Sequence, residues 1–205
     1  MKKKQFESIC RTILPDLSGF ACKGWLLYAH PVSHILQGFC CDDSGFDPTR
    51  FAVWAFVLPL YIPTQHLYFN FGHRLRDESG CEKWWNIQEP NLAGNLLDSI
   101  QREGPPFLDQ VQRPSQMVTL VERLTGNTNP HSLEAIAYSL AMADEYSASQ
   151  EALERLMKTL DRNIPWHSEM FDRAAELAQQ LLGDPQRAKQ QLFEWEQTTV
   201  KNLGI

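Results

Sequence analysis

The pattern of apolar positions is strongest between Phe51 and Arg76, where two apolar runs are separated by prolines. The first run, Phe51 to Leu58, is apolar on both faces of an extended chain, which is typical of a central strand covered on both sides. The second run, His66 to Phe71, is rich in aromatic residues and is followed by Gly72. This composition and the short proline-bounded connection predict a hairpin of paired strands at the centre of a sheet.

The residues before this hairpin predict one helix and two further strands. Lys2 to Leu14 carries apolar residues at i, i+3, i+4 and i+7, which form one amphipathic stripe, and Pro15 follows it. Phe20 to Tyr28 and His34 to Cys41 have the composition of strands. The simplest arrangement is an N-terminal helix followed by a four-stranded antiparallel meander.

The pattern changes to a helical period after the turn Asp77 to Gly80. Helices are predicted at Asn91–Arg102, Ser115–Leu124, Ser168–Leu182 and Pro185–Leu203. Two more are predicted between them, one that opens at Pro130 with a single apolar stripe from Leu133 to Ala141, and one that starts near Ser147 with a stripe from Ala148 to Leu160. Breaks are predicted at Gly104-Pro105-Pro106, at Gly126 and at Gly183-Asp184-Pro185, since glycine and proline interrupt helices. We therefore predict an α+β fold with an all-helical C-terminal half of helix pairs. Residues 1–88 and 89–205 would be its two parts, or one continuous domain.

Composition excludes several classes of protein. Hydrophobic residues make up 43% and charged residues 21% of the 205 positions, as in ordinary globular proteins. The longest apolar run, Phe51 to Ile62, is shorter than the roughly 20 residues that span a bilayer. No apolar stretch follows the lysines near Met1, so we expect no export signal. The odd number of cysteines, five without a C-x-x-C pair, predicts reduced thiols in a cytoplasmic protein.

The net charge of −6 is unevenly distributed. Residues 1–88 contain 9 Lys and Arg against 8 Asp and Glu, whereas residues 89–205 contain 10 against 17. An acidic half disfavours nucleic acid as a ligand, because phosphates are neutralised by clustered Lys and Arg. It favours a basic protein partner or serves solubility alone. For such a partner, the predicted contacts are the carboxylates that the helical pattern leaves exposed: Glu145, Glu151, Glu154 and Asp161.

A second candidate site lies at the end of the predicted hairpin. If His66 to Arg76 is one strand, Asn70, Arg74 and Arg76 share a face and could hold a carboxylate or phosphate, while His73 lies on the other face. Alternatively, both arginines are exposed strand ends that pair with Asp77 or Glu78. The sequence contains no phosphate-binding loop, dinucleotide fingerprint or serine-hydrolase motif. We expect no metal and no cofactor.

Two stretches carry a resemblance to known proteins: S-G-F-A-C-K-G, and F-V-L-P-L-Y-I-P followed by L-Y-F-N-F-G-H-R-L. Over roughly Phe6 to Arg76 the chain resembles a group of short bacterial proteins catalogued as domains of unknown function. Some members of such groups lie beside secreted toxins as immunity proteins. The resemblance implies a bacterial binding protein and carries over no functional residues.

These observations predict a non-enzymatic, cytoplasmic protein-binding protein. The most concrete form is an immunity or inhibitor protein that neutralises a basic effector by occlusion. One alternative is a small-ligand binder or enzyme that uses Asn70, His73, Arg74 and Arg76. Another is a helical scaffold subunit of a bacterial assembly.

Overall fold

A computed structural model describes residues 1–125 and 129–205. The helix end predicted at Gly126 lies outside the described residues. The chain divides into two compact units. The first comprises Met1–Leu58 and Phe71–Gln110, and the second comprises Pro59–Asn70 and Val111–Ile205.

The first unit combines a sheet with two α-helices, which confirms the predicted N-terminal helix and antiparallel sheet. The helices are α1 (Lys3–Ile13), followed by a 3₁₀ turn at Leu14–Asp16, and α2 (Leu92–Leu108). The strands are β1 (Phe20–Lys23), β2 (Leu26–Ala29), β3 (Ile35–Asp43), β4 (Arg50–Pro59), β5 (Gly72–Arg74) and β6 (Trp85–Asn86). Their order is β1-β2-β3-β4-β5, with β6 also paired to β4.

The stretch predicted as one strand from Phe20 to Tyr28 is a hairpin, β1 and β2. The chain reverses at Gly24, whose φ of +62° is readily adopted only without a Cβ atom. Cys22 then pairs with Leu27, and Leu27 in turn pairs with Phe39 of β3. The meander therefore contains one more strand than the apolar pattern indicated.

β4 is the central strand that its two apolar faces predict. Its residues from Phe51 to Leu58 are buried, apart from the half-buried Trp54, whose Nε1 donates a hydrogen bond to Asp42 Oδ2 at 3.1 Å. Phe51 stacks on Trp85 of β6, with ring centroids 5.8 Å apart. Phe56 of this strand is fully buried, whereas Phe69 of the second apolar run is only half-buried.

The strand predicted to run from His66 to Arg76 is confined to Gly72–Arg74, so that prediction is wrong. Backbone groups of the preceding segment are bonded elsewhere in the second unit: Thr64 N donates to Thr199 Oγ1, and Asn202 Nδ2 donates to Thr64 O. Pairing with β4 begins at Gly72, where a Cβ atom would lie 2.5 Å from the carbonyl oxygen of Ala55. Only glycine allows the two backbones to approach this closely.

The break predicted at Gly104-Pro105-Pro106 is also wrong, because α2 continues to Leu108. Proline lacks an N–H donor but still accepts, and the N–H of Asp109 donates to Pro105 O at 3.0 Å. The last turn is held by burial of Phe107, whose ring meets His73 edge-on at 4.7 Å. Tertiary packing here outweighs the local preference for a break.

The second unit is helical, as predicted for the C-terminal part of the chain. Its helices are α3 (Pro114–Thr125), α4 (Pro130–Met142), α5 (Tyr146–Thr159), α6 (Pro165–Gly183) and α7 (Pro185–Leu203). Successive helices pack against each other, and α4 also contacts α7. The predicted start of α7 is confirmed, since the Asp184 carboxylate accepts from the N–H groups of Gln186 and Arg187 and Pro185 occupies the first turn.

α4 is the central helix of this unit. Every residue from Ser132 to Met142 is buried, although the sequence pattern predicted a single apolar stripe. Alanine at 135, 137 and 141 keeps the helix thin enough to be packed against α3, α5 and α7. A polar side chain on α4 therefore needs its partner within the protein.

No helix within the described part of the chain is both long and apolar enough to span a membrane. The five cysteines are free thiols, of which Cys10, Cys40 and Cys41 are buried. Burial raises the pKa of the Cys40 thiol to about 12, so that thiol remains protonated at neutral pH.

We expect Phe56→Ala to lower the free energy of unfolding by about 3–5 kcal/mol, because it leaves a cavity beneath the central strand. The matched control is Phe46→Ala, which removes a fully exposed ring and should change stability by less than about 0.5 kcal/mol. Urea denaturation followed by circular dichroism measures both. A loss below about 1 kcal/mol for Phe56→Ala would contradict the assignment of β4 as the core strand.

Candidate functional site

A cavity within the second unit has a volume of about 810 Å³ and is lined by residues of the 62–70 segment, α4, α6 and α7. We call it the Glu134 cavity and define it by the six lining residues that carry its chemistry. These are Tyr68, His131, Glu134, Trp166, Glu169 and Arg173. Its size is within the range of small-molecule and peptide side-chain sites.

Glu134 is positioned by its place on α4. The side chain is 3% exposed and accepts a hydrogen bond from Arg173 Nη2 of α6 at 2.9 Å. Burial raises the pKa of the Glu134 carboxyl, and the neighbouring Arg173 guanidinium offsets only part of this effect. Burial alone would lower the pKa of Arg173. The attraction and hydrogen bond of the Glu134 carboxylate have the larger combined effect, so the pKa of Arg173 is raised above its usual value. The result is an ion pair in a low-dielectric setting.

The pair is not completely satisfied by the surrounding protein. The Arg173 Nε atom is buried and has no hydrogen-bond acceptor among the described residues. The fully buried Tyr138 hydroxyl lies close enough to Glu134 and Arg173 to interact with both, yet makes no hydrogen bond of good geometry. Buried polar groups normally have a hydrogen-bond partner. Two buried donors without one, Arg173 Nε and the Tyr138 hydroxyl, are therefore unusual.

Aromatic side chains form one wall of the cavity. The imidazole of His131 stacks on the indole of Trp166, with centroids 5.1 Å apart and planes inclined by 6°. Trp166 remains 45% exposed despite this contact. A large aromatic ring in a partly open cavity offers apolar contact area to a ligand.

The 62–70 segment is held in place by α7. Thr199 donates to Ile62 O at 3.1 Å and accepts from Thr64 N, and Asn202 Nδ2 donates to Thr64 O at 3.0 Å. These bonds replace the ladder that a strand would have supplied. They place Tyr68 and Asn70 at the cavity.

The four residues predicted at the hairpin end are not brought together, and Asn70 shares no strand face with Arg74 and Arg76. Asn70 lines the Glu134 cavity, whereas His73, Arg74 and Arg76 belong to the first unit. Arg74 is engaged by carboxylates, as the alternative interpretation expected, but by Asp42 at 2.8 Å and Glu82 at 2.9 Å. It also lies over the rings of two tryptophans, Trp54 and Trp84. These contacts give Arg74 a structural role.

His73 and Arg76 also make contacts with residues of the first unit. Burial lowers the pKa of His73, so the imidazole that contacts Phe107 favours its neutral form. The backbone of Arg76 donates to the Glu103 carboxylate and accepts from the Arg102 guanidinium. The isolated bridge between Arg76 and Glu82 closes this corner of the sheet.

The carboxylates predicted to meet a basic partner are all exposed: Glu145, Glu151, Glu154 and Asp161. Glu151 and Glu154 line a groove of about 510 Å³ between α3, α4 and α5. Arg155 and Lys158 line the same groove, so its rim has mixed charge. Asp161 shapes the turn before α6, because its carboxylate accepts from Asn163.

Sequence reasoning missed Glu134, although one signal pointed to it. Glu134 is the only Asp, Glu, Lys or Arg in the 13 residues of α4, and a helix apolar or small all round is typically buried. The partner Arg173 is 39 residues away on another helix, and no local pattern links the two.

No group of three or more His, Cys, Asp or Glu that could hold a metal ion occurs in residues 1–125 and 129–205. Comparison with known proteins found no matching family model, no matching curated protein and no matching solved structure.

We expect Arg173→Met to lower the free energy of unfolding by about 3–5 kcal/mol, because it leaves the buried Glu134 carboxylate without its partner. The double variant Glu134→Gln/Arg173→Met should recover much of this loss, since neither charge is then buried. Arg162→Met is the control, because Arg162 and Asp172 are more than half exposed and exposed pairs contribute about 0–1 kcal/mol. Additive losses in a denaturation cycle would show that the two side chains are not coupled.

We also expect a pH-dependent difference in stability between the wild type and Glu134→Gln. The pKa of Glu134 is raised in the folded state above its usual value of 4.5, so the folded protein binds the proton more tightly than the unfolded chain does. The wild type should therefore gain stability relative to the variant as the pH falls through the folded pKa toward 4.5. Denaturation midpoints between pH 4.5 and 8 measure this difference. A wild type that loses relative stability on acidification would reverse the sign and contradict the assignment.

Proposed function

We propose that this chain is a non-enzymatic protein-binding protein whose second unit recognises a basic segment of a partner. The observation that carries the proposal is the buried Glu134–Arg173 pair at an open cavity within that unit. Replacing a buried ion pair by well-packed apolar residues is often neutral or stabilising. Retaining such a pair beside an open cavity therefore favours a role in recognition over a role in stability.

The charge of the second unit supports a basic partner. Its residues include 9 Lys and Arg against 13 Asp and Glu, a net charge of −4 with neutral histidines. Such an excess accelerates encounter with a positively charged protein and disfavours acidic ones. Glu145, Glu151, Glu154 and Asp161 are exposed contributors to this field.

In its most concrete form, the proposal is an immunity or inhibitor protein of a bacterial cytoplasm that occludes a basic effector. This form follows the resemblance expected from the sequence of Phe6 to Arg76, to short bacterial proteins of unknown function of which some are immunity proteins. The mechanism would be steric: long-range attraction brings the effector to the helical unit, and desolvated contacts at the interface prolong the complex.

A small-ligand binder is the second candidate function. It is favoured by the cavity volume of about 810 Å³ and by the position of Asn70 on its wall. A ligand held in a partly enclosed site would bind with weak dependence on ionic strength, whereas steering between proteins is screened by salt. Salt dependence therefore separates the two candidates.

We expect random peptides displayed on phage and selected against the immobilised full chain to become enriched in Lys and Arg. The association rate of a selected peptide should fall as salt rises, because the field that attracts it is screened. The fourfold variant Glu145→Ser/Glu151→Ser/Glu154→Ser/Asp161→Ser should slow association and leave stability within about 1–2 kcal/mol of the wild type, since changes at exposed sites are small.

A charge-matched control replaces four exposed carboxylates of the first unit by serine: Asp16, Asp43, Glu78 and Asp98. Both variants lose four negative charges, so a slower rate in the first variant alone assigns the effect to the second unit. Enrichment of acidic or neutral peptides would contradict the proposed function. Equal rates for both variants would remove the four predicted carboxylates from it.

A further inference from the structure

The fixed charges of the Glu134 cavity are unequal. The lining contains two carboxylates, Glu134 and Glu169, and one guanidinium, Arg173. Arg173 Nη2 donates to Glu134 Oε1 at 2.9 Å, so the guanidinium is paired with that carboxylate. Because Arg173 is paired with Glu134, the exposed carboxylate of Glu169 gives these three groups a net charge of −1.

An aromatic surface lies beside this negative charge. Trp166 and Glu169 are three residues apart on α6, so they occupy neighbouring positions on one face of the helix. The indole is half-exposed and is held in place by its stack on His131. Aromatic rings next to carboxylates suit planar guanidinium and flexible ammonium groups, which combine ring contact with a charged hydrogen bond.

Neutral amide and hydroxyl groups also line the cavity. Gln65, Asn70 and Thr198 line it, and such groups can bond to the backbone of an extended peptide. This combination distinguishes the cavity from a general acidic surface. The cavity combines a buried ion pair and the exposed carboxylate of Glu169 with neutral polar groups.

We propose that the Glu134 cavity takes the cationic side chain of an arginine or lysine from a partner protein. This inference rests on the proposed function and names the residue type that it recognises. Glu169 receives the cation, Trp166 supplies contact area, and Glu134 neutralises Arg173, so that its guanidinium does not repel the incoming cation.

Capped tripeptides provide the probe. Acetyl-glycyl-X-glycinamide with arginine, lysine, norleucine or glutamate at X is titrated into the full ¹⁵N-labelled chain, and the indole N–H signal of Trp166 is followed. Loss of that signal in Trp166→Phe assigns it. We expect the arginine and lysine peptides to shift the signal in a saturable way. The norleucine and glutamate peptides should produce little change at the same concentrations.

Variants of the carboxylates locate the site. Glu169→Gln should weaken binding of the arginine peptide by about 2- to 5-fold, as loss of a partly exposed charge pair does. Glu176→Gln is the matched control, because it removes an exposed carboxylate from the same helix outside the cavity lining. Glu134→Gln should weaken binding about tenfold or more, since the unpaired guanidinium of Arg173 then repels the cationic side chain of the peptide.

Because Glu134→Gln alters a buried pair, circular dichroism must first show that the variant is folded. The exposed Glu169→Gln variant tests the inference in either case. Equal affinity of the arginine peptide for wild type and Glu169→Gln, or tighter binding of the glutamate peptide, would overturn the proposal. If the phage selection still enriches basic peptides, that result would overturn only the cavity assignment and leave the proposed function standing.

Discussion

Enclosure of α4 is the constraint on which the helical unit depends. A helix buried on every side cannot present its polar side chains to water, so leaving one without a partner inside the protein costs free energy. The Ser132 and Tyr138 hydroxyls of α4 make no hydrogen bond of good geometry, whereas two other side chains of the helix do. Ser139 pairs with the Tyr61 hydroxyl, 2.6 Å away. The backbone of α4 also accepts a hydrogen bond from a neighbouring helix: Ser149 Oγ of α5 donates to Ala137 O at 2.7 Å. Glu134 is the most demanding case, and it orients Arg173 of α6 toward the centre of the unit.

The cavity follows from this arrangement. An ion pair fills space less completely than interlocking apolar side chains do, and its charged groups favour contact with water or a polar ligand. The 62–70 segment lines the cavity as non-strand chain, because Thr199 and Asn202 of α7 satisfy its backbone. The hydrogen bonds from α7 therefore hold the 62–70 segment where it lines the cavity beside Glu134 and Arg173. Glu134 therefore belongs both to the buried core of the helical unit and to the lining of the candidate site.

Local periodicity predicted the type and order of most elements, because amphipathic stripes and proline-bounded runs determine them directly. The α+β class, the central position of β4 and the cap of α7 were predictable in this way. The errors arose where a distant contact outweighed a local preference. Burial of Phe107 carries α2 past its prolines, and bonds to α7 keep the 62–70 segment out of the sheet. The candidate site was harder to predict, since its central pair joins helices 39 residues apart.

The exposed carboxylates and the buried pair would act on different stages of binding. Charges such as Glu151 and Glu154 lie on the surface beside Arg155 and Lys158, so the strength of each contact is reduced by solvent and by neighbouring cations. Their combined field still acts over about a Debye length, which is sufficient to accelerate encounter. The Glu134 cavity is partly desolvated, and a charge held there is screened far less. A unit with both features can attract basic proteins broadly while retaining only those whose cation reaches the cavity.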